Sequence, residues 1–215
     1  MTKPLTENGY GRAIRALVAR DDDLARVVSD FGKPPRRMRD PGFATLALLI
    51  LEQQVSLASA QATYDRLEAA CGVVRPGSVL ALDDDDLRSV GLSRQKARYV
   101  RLLAEEVDAG TLDLDRLGAL GDDDVRMQLT RITGIGEWTA DIYLLSALQR
   151  ADVWPAKDLA LQVAAHEIKG LDNRPDHETL AEIGEAWRPY RTVAARILWH
   201  YYLNTKRLKR KDATP

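Results

Sequence analysis

The chain has 215 residues, 45% of them hydrophobic, with 31 Lys+Arg against 32 Asp+Glu for a formal net charge of -1. That length and apolar content suit one globular domain, or two lobes sharing a core, and the charge balance neither announces nor forbids a nucleic-acid partner, because binding depends on where the cations sit. A lone cysteine, Cys71, excludes an internal disulfide and by itself can hold neither zinc nor an iron–sulfur cluster; it is expected to be a buried thiol. No apolar run approaches the roughly 18 residues that span a membrane. The polar N-terminus lacks the apolar stretch of a signal peptide, so the cytoplasm is the expected compartment.

The pattern is helical nearly throughout, with no convincing alternation of the strand kind. Ala13 to Val28 carries Leu17, Leu24, Val27 and Val28 at helical spacing. Phe43 to Ala70 predicts one or two helices with Leu46, Leu49, Ile50, Val55, Ala58, Ala62 and Leu67 facing inward. Arg94 to Val107 is amphipathic, with Ala97, Val100, Leu103 and Ala104 on one stripe, and Asp158 to Ile168 and Trp187 to Leu203 are further helices. Acidic runs at Asp21 to Asp23, Asp83 to Asp86 and Asp122 to Asp124 each precede a helical stretch, where carboxylates cap the N-terminus and meet the macrodipole. Basic clusters lie at Lys33 to Arg39 and Lys206 to Lys211, either solvated surface or anion-facing; the tail over 206–215 is expected to lack structure.

Two stretches share a rhythm. Asp84-Asp85-Asp86-Leu87-Arg88 leads to Gly91-Leu92 and a helix, and Asp122-Asp123-Asp124-Val125-Arg126 leads to Gly134-Ile135-Gly136 and another. Either a faint duplication or the reuse of common caps and turns explains it. The second is the richer. Gly134 and Gly136 permit left-handed or closely approached backbone, Ile135 between them can pin the turn into the core, and the N–H groups opening the next helix suit a phosphate oxygen.

The segment Leu129-Thr130-Arg131-Ile132-Thr133-Gly134-Ile135-Gly136-Glu137-Trp138-Thr139-Ala140 satisfies the pattern Leu-x-x-Ile/Val-x-Gly-Ile/Val-Gly-x-x-Thr-Ala. It resembles the helix–hairpin–helix of the DNA glycosylase superfamily that carries a glycine/proline-rich loop and a following aspartate. Downstream, Asp152-Val153-Trp154-Pro155-Ala156-Lys157-Asp158 places Asp158 where family members have their essential aspartate. The chemistry has its own logic. Breaking an N-glycosidic bond leaves an oxocarbenium-like sugar, which a carboxylate stabilises while it orients or deprotonates water. Asp158 as a plain helix cap is the alternative, and Lys157 beside it is either a phosphate contact or a surface lysine.

In bifunctional relatives of the endonuclease III kind a lysine attacks the sugar at the position held here by Trp138, so strand cleavage is not expected. The resemblance is closer to the 3-methyladenine DNA glycosylase II branch. Gln53-Gln54-Val55-Ser56 and the series Trp187-Arg188-Pro189-Tyr190-Arg191 to Trp199 match segments of that branch, and the likeness runs from about Phe43 to Tyr202. The larger bacterial archetype has a further N-terminal β-rich domain for which this chain has no room.

The resemblance implies an all-α, two-lobed fold with its helix–hairpin–helix at 125–148. One lobe would be about 43–148 and the other 1–42 plus 149–205, with the cleft between them. It implies a monomer, without cofactor, that acts on double-stranded DNA with the damaged nucleotide flipped out. Asp158 is the expected catalytic residue. Trp138, Trp199 and Gln53 would line the base pocket, stacking on cationic alkylated purines. Gln54 would be the wedge in the duplex, or else a helix cap. Gly134, Ile135, Gly136, Trp138, Thr139 and Lys157 would face DNA, and the backbone at Ile132 and Ile135 would be the place for a monovalent cation, with no catalytic metal. Trp154, Trp187 and Tyr190 are expected in the core or supporting loops. A silent DNA-binding module, a glycosylase for deaminated or oxidised bases, and a helical protein-interaction domain are the competing readings.

Overall fold

The computed structural model describes residues 4–212, and among them every regular element is helical. Twelve α-helices and one 3-10 turn fall into two compact units. One is built on Arg39–Leu148; the other joins Lys3–Met38 to Gln149–Pro215.

In the first unit, α3 (Phe43–Glu52) is the axis. Phe43, Leu46, Ala47, Leu49, Ile50 and Leu51 are all buried, which is the signature of a helix enclosed on every side. Around it pack α4 (Leu57–Cys71), α7 (Arg94–Asp108) and α9 (Glu137–Ser146). The stripe Ala97, Val100, Leu103 and Ala104 is the buried face of α7, as its periodicity requires. The inward face expected beyond α3 needs correction. Ala58 and Ala62 are exposed, as is Val55, while Ala60 and Leu67 are buried. The chain leaves α3 through Gln53, takes a left-handed conformation at Gln54 (φ 58), and starts α4 afresh on Ser56, so the helical phase is reset rather than continued. Three short or following elements complete the unit: α5 (Pro76–Leu80), α6 (Asp84–Ser89) and α8 (Asp122–Thr130). Cys71, at the end of α4, is half-buried rather than enclosed.

In the second unit the stretch from Ala13 to Val28 is two helices, α1 (Glu7–Val18) and α2 (Asp22–Phe31). Asp21 is the reason for the break. Its carboxylate caps α2 through the N–H groups of Asp23 and Leu24, both at 3.1 Å. It also accepts from Lys169 Nζ at 2.8 and 2.9 Å and from the Trp187 indole at 2.7 Å. The alanines Ala164, Ala165, Ala194 and Ala195 let α10 (Leu159–Lys169) and α12 (Arg191–Asp212) approach closely in a core with Tyr10, Leu17, Leu24 and Leu161. Trp154 and Trp187 are buried there, edge to face with centroids 5.1 Å apart. On α11 (His177–Glu185), a Cβ at Gly184 would fall 2.5 Å from the Trp154 indole, so only glycine lets α11 pack there.

Of the acidic runs, Asp83 caps α6 in a full capping box, whereas Gly121 is the N-cap of α8 and the following aspartates fill its first turn. The C-terminal stretch also departs from expectation. The helix begins at Arg191 instead of Trp187 and continues through the basic residues to Asp212. Extending a helix already nucleated costs little, Lys and Arg are good helix formers, and cations suit a helix C-terminus. Residues 213–215 lie outside the described residues.

Candidate active site

The hairpin belongs to the first unit. Helix α8 ends at Thr130, the turn runs through Arg131 to Gly136, and α9 starts at Glu137. Ile132 and Ile135 are buried, and the Ile135 N–H donates to the Ile132 carbonyl at 3.0 Å, closing the turn on itself. Gly134 is required twice over. Its φ of +101 lies where L side chains are strained, and a Cβ would stand 2.2 Å from the Tyr99 ring of α7. Gly136 differs: its φ is -92, and a Cβ there would meet nothing within 4 Å. Its lack of a side chain leaves open space in front of α9 and leaves the first turn of that helix without a side-chain cap.

Two residues expected to face DNA are turned inward. Ile135 is core, and its N–H is spent on the turn. Thr139 is 1% exposed and its hydroxyl accepts from Gln53 Nε2 at 3.0 Å. The same Gln53 amide donates to the Gly134 carbonyl at 2.8 Å. Gln53 therefore braces the hairpin from the end of α3, and the next residue, Gln54, stands exposed with its strained backbone. Trp138, in the first turn of α9, is half-buried.

Sequence reasoning did not single out α7 as a support for these loops. Its Tyr99 ring backs Gly134, and its Lys96 Nζ donates to the Leu51 carbonyl at 2.7 Å, at the end of α3 just before Gln53. Burial holds the Lys96 pKa below its ordinary value. No periodicity signal marks such residues, since both lie off the apolar stripe.

Asp158 belongs to the second unit. It is the N-cap of α10, its Oδ1 accepting from the Leu161 N–H at 2.9 Å. The same oxygen accepts from the Trp199 indole N–H at 3.0 Å. Asp158 therefore caps α10, the alternative offered for it, and the capping oxygen is also held by the Trp199 indole. It is half-buried, and Leu159 next to it is 56% exposed, an apolar surface beside the carboxylate. Lys157 is exposed. The other aspartate of the segment, Asp152, is held differently: Arg191 Nε and Nη2 form a fork on its two oxygens at 3.0 Å each, and Arg188 Nη1 adds a bond at 2.9 Å. Asp152 thus fastens the loop to the start of α12.

A hairpin with an obligate glycine is thus followed, one helix further on, by an aspartate that caps α10. Residues 48–189 match the model of the HhH-GPD superfamily of base excision DNA repair proteins, more than half of the chain, and the protein belongs to that superfamily. Among its relatives, YfjP of Bacillus subtilis is 31% identical over 158 residues; the match covers 70% of this chain and 55% of YfjP, so the chain spans about half the length of that relative. The crystal structure of a DNA-3-methyladenine glycosidase from Bacillus halodurans superposes with a TM-score of 0.75 at 33% identity, covering 88% of each chain. The 3-methyladenine DNA glycosylase of Schizosaccharomyces pombe in complex with abasic DNA gives a TM-score of 0.82 at 27% identity, covering 87% of this chain and 95% of that one. Among the described residues no helix is long and apolar enough to cross a membrane.

Proposed function

We propose that this chain is a monofunctional DNA glycosylase that hydrolyses the N-glycosidic bond of alkylated purines in double-stranded DNA. The observation that carries the reading is the Asp158 carboxylate, fixed by the Leu161 N–H and the Trp199 indole N–H at the start of α10. The names of the Bacillus halodurans and Schizosaccharomyces pombe structures support the same substrate class.

An alkylated purine such as 3-methyladenine or 7-methylguanine is cationic while attached to the sugar. The C1′–N bond breaks with its electron pair leaving on the base, which departs neutral. The sugar becomes oxocarbenium-like, and Asp158 stabilises it electrostatically. A water then attacks C1′ and gives up a proton, with the carboxylate as acceptor or relay. The products are free base and an abasic site in an uncut strand. Lysine chemistry is not offered at the hairpin, where the residue is Trp138. Trp199, beside Asp158, is assigned to stacking on the flipped base, and Gln54 to the gap in the duplex. The indole N–H lies in the ring plane, so its bond to Asp158 is compatible with stacking on a ring face.

Phosphate approaches the hairpin at Gly136, where the missing side chain leaves room, and at the first turn of α9. Lys157 contacts phosphate in this reading. The Ile132 carbonyl, which accepts one N–H, keeps a second lone pair, and that fits a monovalent cation held there by backbone oxygens together with Ile135. The protein would work as a monomer in the cytoplasm, at the nucleoid if bacterial.

The test is duplex DNA carrying methylated purines, incubated with wild type and with Asp158→Asn. Asparagine is as good an N-cap as aspartate, so α10 survives the change. Wild type is expected to release free base and leave alkali-labile sites without direct nicks, and the variant to lose at least a hundredfold in rate, the scale of deleting one electrostatic stabiliser. DNA binding without base release from any damaged duplex would instead make the chain a silent binding module.

A further inference from the structure

Several cations of the second unit are engaged with carboxylates: Arg26 with Asp23, Lys33 and Arg36 with Glu7, Lys169 with Asp21 and Asp23, Arg188 and Arg191 with Asp152 and Glu185. Others, such as Arg12, Arg20 and Arg174, are exposed and scattered singly. The last turns of α12 are different. Lys206-Arg207-Leu208-Lys209-Arg210-Lys211 brings five cations into six residues of one continuous helix, in a chain whose formal charge is -1 and whose remainder is therefore acidic. Lys206 and Arg207 are exposed, and no carboxylate among the described residues pairs with either. Lys206 stands over the Tyr202 ring, its Nζ 4.4 Å from the centroid. Among the described side chains of α12 the last buried one is Leu198, and Leu208 is 51% exposed.

Position along the helix adds a measure of reach. Trp199, which holds Asp158, and the basic stretch are on the same helix. At about 1.5 Å of rise per residue, Lys206 lies about 10 Å and Lys211 about 18 Å along the axis from Trp199. Phosphates on one strand of a duplex succeed each other at about 3.4 Å along its axis, so that interval corresponds to about three to five nucleotide steps.

We propose that residues 206–211 of α12 form a phosphate-binding arm that grips duplex DNA about three to five nucleotide steps from the nucleotide presented to Asp158. This rests on the reading of Asp158 as the reacting carboxylate. The arm reads no sequence; it adds affinity through release of counterions, which a nearly neutral protein has few other means to obtain.

The test compares full-length wild type with a variant in which all five cations are glutamine (K206Q/R207Q/K209Q/R210Q/K211Q). Binding to a duplex with a central abasic-site analogue is measured by fluorescence anisotropy across a range of KCl concentrations. Each lost phosphate contact reduces the slope of log K against log salt by about 0.9, so the variant is expected to fall short of wild type by about two to four. At low salt its affinity should drop at least tenfold. The swap K206R/R207K/K209R/R210K/K211R should keep the wild-type slope. Equal slopes for wild type and the glutamine variant would overturn the proposal. So would loss of the slope in the charge-conserving swap, or salt-dependent binding of the stretch to anionic phospholipid vesicles with DNA binding unchanged. A wild type that releases no damaged base yet shows the slope difference would sink the glycosylase reading and leave the arm standing as a DNA contact.

Discussion

Asp158 shows how much one side chain can carry. Its Oδ1 closes the first turn of α10 and receives the Trp199 indole, so folding the helix and aiming the carboxylate are one event. A hydrogen bond to a charged group contributes about 1.5–3 kcal/mol. Trp199→Phe keeps an aromatic ring and removes the N–H. Single-turnover base release should then slow about tenfold to a hundredfold at each pH, and the melting temperature should fall by several degrees as the same bond is lost from the folded state. A rate equal to wild type would mean that the carboxylate is oriented without the indole. Asp152, in the same loop, gives the contrast: forked by Arg191 and bridged to Arg188, it is a fastening, and its identity as an aspartate in a family-like segment does not make it a reacting group.

At the scale of elements, the hairpin is held by packing from behind. Gly134→Ala puts a methyl 2.2 Å from the Tyr99 ring at a φ of +101, so Tyr99 must move or the turn must open. Strain and overpacking together should cost about 3 kcal/mol or more, read as a lower denaturation midpoint. Gly136→Ala, with nothing within 4 Å of the new methyl, should leave the midpoint within about 0.5 kcal/mol of wild type while weakening duplex binding.

This asymmetry between the two glycines was not legible in the sequence, which offers the same residue at both. The all-helical class was legible, as was the α7 stripe, because both follow from local periodicity. The motif from Leu129 to Ala140 and the aspartate after it were legible as an ordered pattern. What failed were the points where tertiary contacts decide. Thr139 spends its hydroxyl on Gln53, far along the chain, and Asp21, legible as a cap, also collects Lys169 and Trp187, which the local sequence does not announce. Helix α11 escaped notice because its buried face is just Leu180 and Gly184, too sparse for a periodic signal.

At the scale of the whole molecule, stability against acid should be governed by groups such as Asp21. Burial pushes its carboxyl up, but bonds from Lys169, the Trp187 indole and the Leu24 N–H outweigh this and hold its pKa below the usual range. A depressed folded pKa stabilises above the unfolded value of about 3.9 and loses that stabilisation as pH falls through the lower folded value. Asp21→Asn should therefore cost about 1–3 kcal/mol near neutral pH, and the gap to wild type should close progressively below about pH 4. A gap that stays constant down to the lowest measurable pH would assign the loss to packing rather than to charge.

The second unit is discontinuous: its two stretches are separated in sequence by the whole of the first. In an unfolded chain, bringing such stretches together means closing a loop of roughly a hundred residues, an entropic cost of about 4 kcal/mol. The first unit alters that cost, because the Arg39 N–H donates to the Ser146 carbonyl at 2.9 Å, so its entry and exit strands of chain are adjacent. Once the inserted unit is folded, the loop it spans is short in space however long in sequence. Folding the insertion first would therefore shorten the loop that the unit carrying Asp158 has to close.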